Sequence, residues 1–372
     1  MLRLNLPLTG DEELREIAAV LASGYLTQGP KVAEFEDAVK AVTGSRHGFA
    51  MSSATTALHL SLVALGIGPG DEVLVSDFTF PASGNVIIQQ GAVPVCVDAL
   101  PDTYAMDAAD LERRITPRSR AVMVVHPFGL SADMEAIMGV CEKHGLPVIE
   151  DAACALGAQF KGQACGTIGR LGCYSFHPRK SITTGEGGMI MTGDDTLAEK
   201  IRLLRSHGGR RGDYAFEFHD AGFNYRLSDV LAALGVAQMR RLRWLIDGKR
   251  ERAVQLRARL EGIPGLQLPV EPDGCYHTWQ SFVCVLGKGH SQRDVIARMR
   301  AQGVEATLGT YAMHSQPAFQ SRFDYRPGDL PVSCRLQQHT LTLPLYPQMT
   351  ESDLDLVAAA VRGALRSPAE TA

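Results

Sequence analysis

Short apolar segments alternate with amphipathic segments of helix length between residues 72 and 191. Most of these apolar segments lack the alternation of polar and apolar residues that marks a half-exposed strand, as expected for strands buried on both faces. Helices must cover both faces of such a sheet, so the pattern predicts an α/β domain with a largely parallel sheet. The predicted strands are residues 72–75, 93–97, 121–125, 147–149, 173–176 and 189–191, preceded by a short strand at 49–51.

The sequence changes character after Ser228. A long helical segment begins there, and we expect it to break near Asp247-Gly248. Strand-like segments at 280–286 and 341–345 and two helices follow. A chain of 372 residues accommodates two domains of moderate size. We therefore predict a large domain of residues 1–245 and a smaller C-terminal α/β domain of residues 246–372.

Charge and cysteine usage exclude several classes of function. The net charge is −4 and no basic stripe is present, which argues against nucleic-acid binding. No apolar segment reaches the roughly 18 residues of a membrane span, and the N-terminal segment lacks a signal-peptide pattern. The eight cysteines form no CxxC pair, so neither a metal site nor a disulfide framework is expected. We expect a cytoplasmic protein that binds no metal, nucleic acid or membrane.

One lysine, Lys180, lies in the loop Ser175–Gly188 (SFHPRKSITTGEGG) between two predicted buried strands. A lysine amine at such a position can form a Schiff base with a carbonyl compound. The same pattern is also typical of a surface turn in which the glycines only serve the turn. The loop alone leaves both interpretations open.

Three other groups lie near predicted strand ends. Ala54 and Thr55 stand at a strand-to-helix turn, where free N–H groups can bind phosphate, although simple helix capping is the plainer explanation of the turn by itself. Asp151 follows a buried strand, where its carboxylate would either pair with a protonated ring nitrogen or cap a helix. Phe80 would either stack on a planar cofactor or belong to the core.

Two histidines, His126 and His177, are candidates for acid–base groups, although most histidines in such loops are structural. The glycines form neither a dinucleotide-binding nor a P-loop motif, which disfavours a nicotinamide or ATP site. An amine, a phosphate turn, a carboxylate and an aromatic ring at strand ends are together what a pyridoxal phosphate (PLP) site requires.

Eight motifs occur in order along nearly the whole chain. They are GYLTQGP (24–30), SATTAL (53–58), GPGDEV (68–73), VHPFG (125–129), EDAACALG (150–157), SFHPRKSITTGEGG (175–188), GFNYRLSDVLAALGVAQ (222–238) and LPLY (343–346). In these motifs the chain resembles the DegT/DnrJ/EryC1/StrS family of PLP-dependent sugar aminotransferases. The resemblance implies the fold-type I, aspartate aminotransferase-like architecture. This has a mainly parallel seven-stranded sheet between helices and a smaller C-terminal domain.

The resemblance also implies a role for each matched residue. Lys180 is similar to the lysine that binds PLP and catalyses the reaction. The cofactor-binding positions are Ala54, Thr55 and Ser175 for the phosphate, Phe80 for the ring face, Asp151 for the pyridinium nitrogen, Cys154 near the phenolic oxygen, and Asn224 reaching over from a second subunit. This sequence departs from the family at Ala54, where glycine is usual, and at Cys154, where glutamine is frequent. A cysteine donates a weaker hydrogen bond than an amide.

Three residues are candidates for substrate binding. Tyr311 and His314 match a C-terminal stretch near the substrate pocket, with ordinary packing as the alternative. Arg226 either meets an anionic substrate group or braces a dimer loop.

The function implied by the resemblance is amino transfer from L-glutamate to a nucleotide-linked keto-deoxysugar, in a homodimer with shared active sites. The sequence Thr183–Gly188 is similar to that of members that aminate C4 of a 4-keto-6-deoxy sugar. Amination at C3, an aminocyclitol precursor as substrate, and a non-catalytic regulatory relative are the alternatives. Lys180 argues against a dehydratase branch, which has histidine at this position.

Overall fold

The computed structural model describes residues 1–326 and 328–366. Its strands are β1 His47–Met51, β2 Glu72–Ser76, β3 Phe78–Thr79, β4 Val93–Val97, β5 Ser119–Val125, β6 Val148–Asp151, β7 Gln159–Phe160, β8 Gln163–Ala164, β9 Leu171–Ser175, β10 Gly188–Thr192, β11 Gly209–Arg211, β12 Phe216–Phe218, β13 Leu266–Gln267, β14 Cys275–Tyr276, β15 Phe282–Leu286, β16 Tyr311–Ala312 and β17 Thr340–Leu343.

The helices alternate with these strands through the first half of the chain. They are α1 Asp11–Ser23, α2 Pro30–Thr43, α3 Ala54–Ala64, α4 Ala82–Gln89, α5 Ala108–Arg114, α6 Met134–His144, α7 Asp195–Leu204, α8 Asp229–Arg240, α9 Leu242–Leu260, α10 Gln292–Ala301, α11 Pro317–Gln320, α12 Pro331–His339 and α13 Glu351–Leu365. No helix in the described ranges combines the length and apolar character that crossing a membrane requires.

The central sheet has seven strands in the order β1-β10-β9-β6-β5-β2-β4. The five strands from β9 to β4 are parallel, whereas β10 runs antiparallel to β9 and to β1. The predicted fold class and the mainly parallel seven-stranded sheet are therefore confirmed.

Helices cover both faces of this sheet, as the apolar strand sequences require. In β2, Val73 and Val75 pack into a core that includes Leu58 of α3, while Leu74 packs on the opposite face with Ile137 of α6. All five residues of β2 are buried, so this strand requires helices on both faces of the sheet.

The C-terminal part has its own core around the antiparallel strands β13, β15 and β17. Helix α9 contributes to two cores, because Leu245 packs with the large sheet's helices and Leu256 packs in the C-terminal core. The predicted division between residues 245 and 246 falls inside this helix and stays a prediction.

The predicted helix break near Asp247-Gly248 is wrong. The break lies at Arg241, between α8 and α9, and α9 continues through Gly248. A Cβ at residue 248 would lie 2.8 Å from the Cβ of Pro347, so glycine allows close packing there. The glycine at this position therefore marks a close contact and not a helix end.

The parallel arrangement brings the carboxyl ends of β2, β5 and β6 to one edge of the sheet. Val125 and Asp151 are register partners in adjacent strands, and Met123 pairs with Val75. The residues that follow these strands therefore meet at the same edge, where α/β proteins bind their ligands.

Candidate active site

Asp151 is the last residue of β6 and is buried, with 6% of its surface exposed. Its carboxylate accepts hydrogen bonds from the Ser83 hydroxyl at 2.7 Å and from the backbone N–H of Ala153 at 3.2 Å. Burial raises the pKa of Asp151, and these two hydrogen bonds and the charge of Lys180 partly oppose that rise. A cationic ring nitrogen would stabilise this carboxylate, because a buried charge requires a partner.

The amine of Lys180 lies 3.0 Å from the sulfur of Cys154. Cys154 stands three residues after Asp151 in the same loop, so the lysine amine faces the strand edge that carries the carboxylate. The lysine is half-buried, unlike the freely solvated lysine of a surface turn.

Two residues that are distant in sequence hold the lysine loop. The Asn5 side chain donates to the carbonyl oxygen of Pro178 at 3.0 Å, and Gln280 donates to that of Arg179 at 2.7 Å. The backbone oxygen of Gln280 in turn accepts from the amine of Lys249 at 3.1 Å. Burial lowers the pKa of Lys249 to about 8.

Sequence reasoning missed these supporting residues. Asn5 and Gln280 lie 173 and 101 positions from the carbonyls that they bind. No local motif marks such contacts, and only the packing of the N-terminal segment and the C-terminal core against the loop creates them.

The predicted phosphate turn is a half-buried helix N-terminus, at which Thr55 is exposed. Ser53 caps α3 by accepting from the N–H of Thr56 at 3.1 Å. The first N–H groups of a helix have no partner inside the helix. Within the described ranges no acceptor contacts the N–H of Ala54 or Thr55. Capping and anion binding are therefore compatible here, because the cap uses one N–H and leaves two.

Ser175 lies beside this turn through the sheet register. Gly188 pairs with Ser175 on one side and with Met51, the last residue of β1, on the other. A Cβ at residue 188 would lie 2.4 Å from the carbonyl carbon of Ser53. The absence of a side chain at this position lets the turn approach β10, the neighbour of the strand that carries Ser175.

Phe80 follows β3 and is 67% exposed, which excludes the interpretation as a core aromatic. Two residues later, α4 begins and carries Ser83, the partner of Asp151. Strand β3 pairs with β16, where Tyr311 is the register partner of Thr79. Tyr311 therefore lies next to the segment that presents Phe80, with 37% of its surface exposed.

The structure buries His314, which is 2% exposed. Its Nδ1 contacts Asp77 at 2.6 Å, and its Nε2 lies 3.4 Å from the sulfur of Cys334. Both ring nitrogens are therefore engaged within the chain. The contacts give His314 a positioning role, since they attach the segment after Tyr311 to the carboxyl end of β2, while a role in substrate contact stays a prediction.

Of the two histidine candidates, His126 is structural. It is fully buried, contacts Glu150 at 2.8 Å through Nε2, and accepts the N–H of Ala132 at Nδ1. His177 is half-buried within the lysine loop, and burial lowers its pKa. Its Nδ1 accepts the N–H of Arg179 at 3.3 Å, so Nε2 carries the proton of the neutral ring.

The segment of Asn224 and Arg226 runs beside the phosphate turn, because Arg226 forms a backbone bridge with Met51, the last residue of β1. Asn224 is exposed and pairs through its backbone with Ser206. Arg226 donates to the Ser206 hydroxyl at 3.0 Å. The role of Asn224 at a second subunit's site stays a prediction, as does substrate binding by Arg226.

The residues present fit PLP. A half-buried amine, a buried carboxylate with a raised pKa, two free N–H groups and an exposed aromatic ring converge on one sheet edge. In the described ranges no cluster of three or more histidine, cysteine, aspartate or glutamate side chains is arranged to hold a metal ion.

Comparison with known proteins defines the class. The model of the DegT/DnrJ/EryC1/StrS aminotransferase family matches residues 7–362, and the chain belongs to this family. It is thus an aminotransferase, of a family that uses PLP.

Three relatives illustrate the similarity. GDP-perosamine synthase of Caulobacter vibrioides is 42% identical over 342 residues, which cover 90% of each chain. The spore coat polysaccharide biosynthesis protein SpsC of Bacillus subtilis is 38% identical over 371 residues, covering 96% of this chain and 95% of SpsC. The crystal structure of the aminotransferase TlmJ from Streptoalloteichus hindustanus covers 100% of both chains with a TM-score of 0.93 and 34% identity.

Proposed function

We propose that this enzyme transfers an amino group from L-glutamate to C4 of a nucleotide-linked 4-keto-6-deoxy sugar, with PLP as its cofactor. The proposal places it in the cytoplasm as a homodimer with shared active sites. The observation that carries the proposal is the convergence of the Lys180 amine, the Asp151 carboxylate and the free N–H groups of α3 at one edge of the sheet. The similarity to a GDP-perosamine synthase supports a nucleotide sugar as the acceptor.

PLP, when bound, supplies an electron sink for the carbon that loses or gains a proton. Lys180 would hold the cofactor through its amine, and the free amine would carry the proton at the substrate carbon. Asp151 keeps the ring nitrogen protonated, because its buried carboxylate is stabilised by that positive charge.

The other residues bind and orient. The N–H groups of Ala54 and Thr55, with the Ser175 hydroxyl, hold the phosphate at the positive end of the α3 dipole. Phe80 would cover one face of the ring, and Cys154 would donate a weak hydrogen bond near the phenolic oxygen. Tyr311 borders the space above Phe80, where the sugar would lie.

A half-reaction screen tests this proposal. The protein is converted to its pyridoxamine phosphate form with L-glutamate and then mixed with nucleotide-linked 4-keto and 3-keto sugars and with keto-cyclitols. We expect nucleotide-linked 4-keto-6-deoxy sugars to restore the PLP absorbance fastest, and Lys180→Ala to show no conversion. Faster conversion of a 3-keto sugar or a cyclitol would contradict the proposed acceptor.

A further inference from the structure

A groove of about 320 Å³ lies beside the lysine loop. Its walls come from the N-terminal segment (Arg3–Asn5), the loop residues His177–Arg179, and the C-terminal part of the chain near Gln280, Glu305 and Thr342. This volume is in the range of small-molecule sites. Nothing in the family roles described above uses this groove.

The groove presents unpaired positive charge. Arg3 and Arg179 both line it and are exposed, and in residues 1–326 and 328–366 no carboxylate lies within 4.0 Å of either guanidinium. His177 adds a neutral donor at Nε2, because its Nδ1 already accepts the N–H of Arg179. A guanidinium fork and a ring N–H form the strongest hydrogen bonds with carboxylate or phosphate oxygens.

One carboxylate, that of Glu305, opposes this charge. It also lines the groove, where one of its oxygens accepts the N–H of Leu4 at 2.9 Å. The remaining donors of the groove are largely engaged, since Asn5 and Gln280 bind the carbonyls of the lysine loop. Arg3 and Arg179 are the cations left to bind a ligand, His177 adds its ring N–H, and all three are suited to an anion.

We propose that this groove binds the anionic end of a substrate through Arg3, Arg179 and His177. The inference rests on the proposed function, in which two substrates carry anions: the amino donor its carboxylates and the nucleotide sugar its diphosphate. Arg179 precedes Lys180 directly and Gln280 fixes its carbonyl, so the groove adjoins the loop that carries the catalytic amine.

Four single variants test the groove in the PLP-loaded protein. Arg3→Gln and Arg179→Gln remove the cations, and Glu305→Gln removes the opposing charge while retaining an oxygen for Leu4. Arg293→Gln is the control, since Arg293 on α10 is also exposed and does not line the groove. Calorimetry measures the Kd of uridine, guanosine and thymidine diphosphates, and the PLP absorbance measures the KM of L-glutamate in the half-reaction.

We expect each arginine variant to raise either the Kd of the diphosphates or the KM of L-glutamate by at least about fivefold. Glu305→Gln should lower the same constant. A changed Kd identifies the diphosphate as the occupant, and a changed KM identifies the donor carboxylate. The opposite sign for Glu305→Gln excludes a general loss of folding as the cause. Values equal to those of Arg293→Gln for both constants would overturn the inference.

The same measurements separate this inference from the proposed function. The wild-type protein could show no half-reaction with L-glutamate while nucleoside diphosphate binding depends on the two arginines. That result would support the proposed anion site and contradict L-glutamate as the amino donor. If the half-reaction proceeds but the variants change neither the Kd nor the KM, the proposed anion site is wrong and the transaminase chemistry is supported.

Discussion

At the scale of single residues, the site depends on a carboxylate that is costly to bury. Asp151 was predicted from its position after a strand, because parallel strands present their carboxyl ends at one edge. Its partner Ser83 was not predicted, since a serine in a helix carries no mark of the residue that it will contact. Lys180 was identified from its loop and Cys154 from the family resemblance, but their 3.0 Å contact required the folded loop.

Replacing Asp151 by asparagine is expected to increase the stability of the apoprotein and to decrease transamination. Burial raises the pKa of Asp151, so the folded apoprotein disfavours the charged form, and this penalty is present at neutral pH. Asp151→Asn should raise the Tm of the cofactor-free protein at pH 7, with the difference vanishing below about pH 4. Transamination should fall on the order of a hundredfold or more, because the ring nitrogen loses its anionic partner.

Thermal unfolding of the apoprotein across pH and steady-state kinetics measure both effects. Asp213→Asn is the control, since Asp213 is exposed and should change neither quantity. A Tm for Asp151→Asn that is lower than that of the wild type at pH 7 would show that Asp151 is not electrostatically destabilising.

At the scale of helices and strands, most of the architecture could be predicted and the close contacts could not. Strands that are apolar on both faces and alternate with amphipathic helices predict a sheet with helices on both faces, without knowledge of individual contacts. Gly248 shows the limit of local reasoning, because its helix-breaking tendency is overridden by packing against Pro347. The hydrogen bonds from Asn5 and Gln280 to the lysine loop were likewise not predictable from the local sequence.

A methyl group at residue 188 should loosen the phosphate turn. Its Cβ would lie 2.4 Å from the Ser53 carbonyl carbon and 2.5 Å from the Ala54 nitrogen, which forces the start of α3 away from β10. We expect Gly188→Ala to weaken PLP binding about tenfold or more, at a cost in stability of about 1–3 kcal/mol. Gly193→Ala, where a Cβ meets nothing within 4 Å, is the control.

Titration of the apoprotein with PLP, followed by absorbance, measures this effect. Equal affinities for the two glycine variants would mean that the turn does not hold the phosphate in the proposed way.

At the scale of the whole molecule, the predicted class and sheet are confirmed, whereas the division into domains and the dimer remain predictions. The division was drawn where the helical pattern changed, but α9 joins both cores across that point. Asn224 is exposed and its backbone pairs with Ser206, which leaves its side chain accessible to another subunit.

Subunit complementation tests the shared site. Lys180→Ala and Asn224→Ala are each expected to be strongly impaired as pure proteins. If Asn224 serves the partner's site, a mixed dimer combines both defects in one site and leaves the other site intact. Mixing after dissociation and reassociation should therefore restore activity, approaching about one quarter of the wild-type level for random pairing. A mixture no more active than the average of its components would assign Asn224 to its own subunit's site or to none.

The central claim is that Lys180 holds the cofactor, and borohydride reduction tests it most directly. Reduction of the PLP-loaded protein fixes the bond between cofactor and lysine, and mass spectrometry of the digest identifies the modified residue. We predict the pyridoxyl phosphate group on the peptide that contains Lys180, and no labelled peptide from Lys180→Ala. A label on another lysine, above all the buried Lys249, or no label on the wild-type protein would contradict the account.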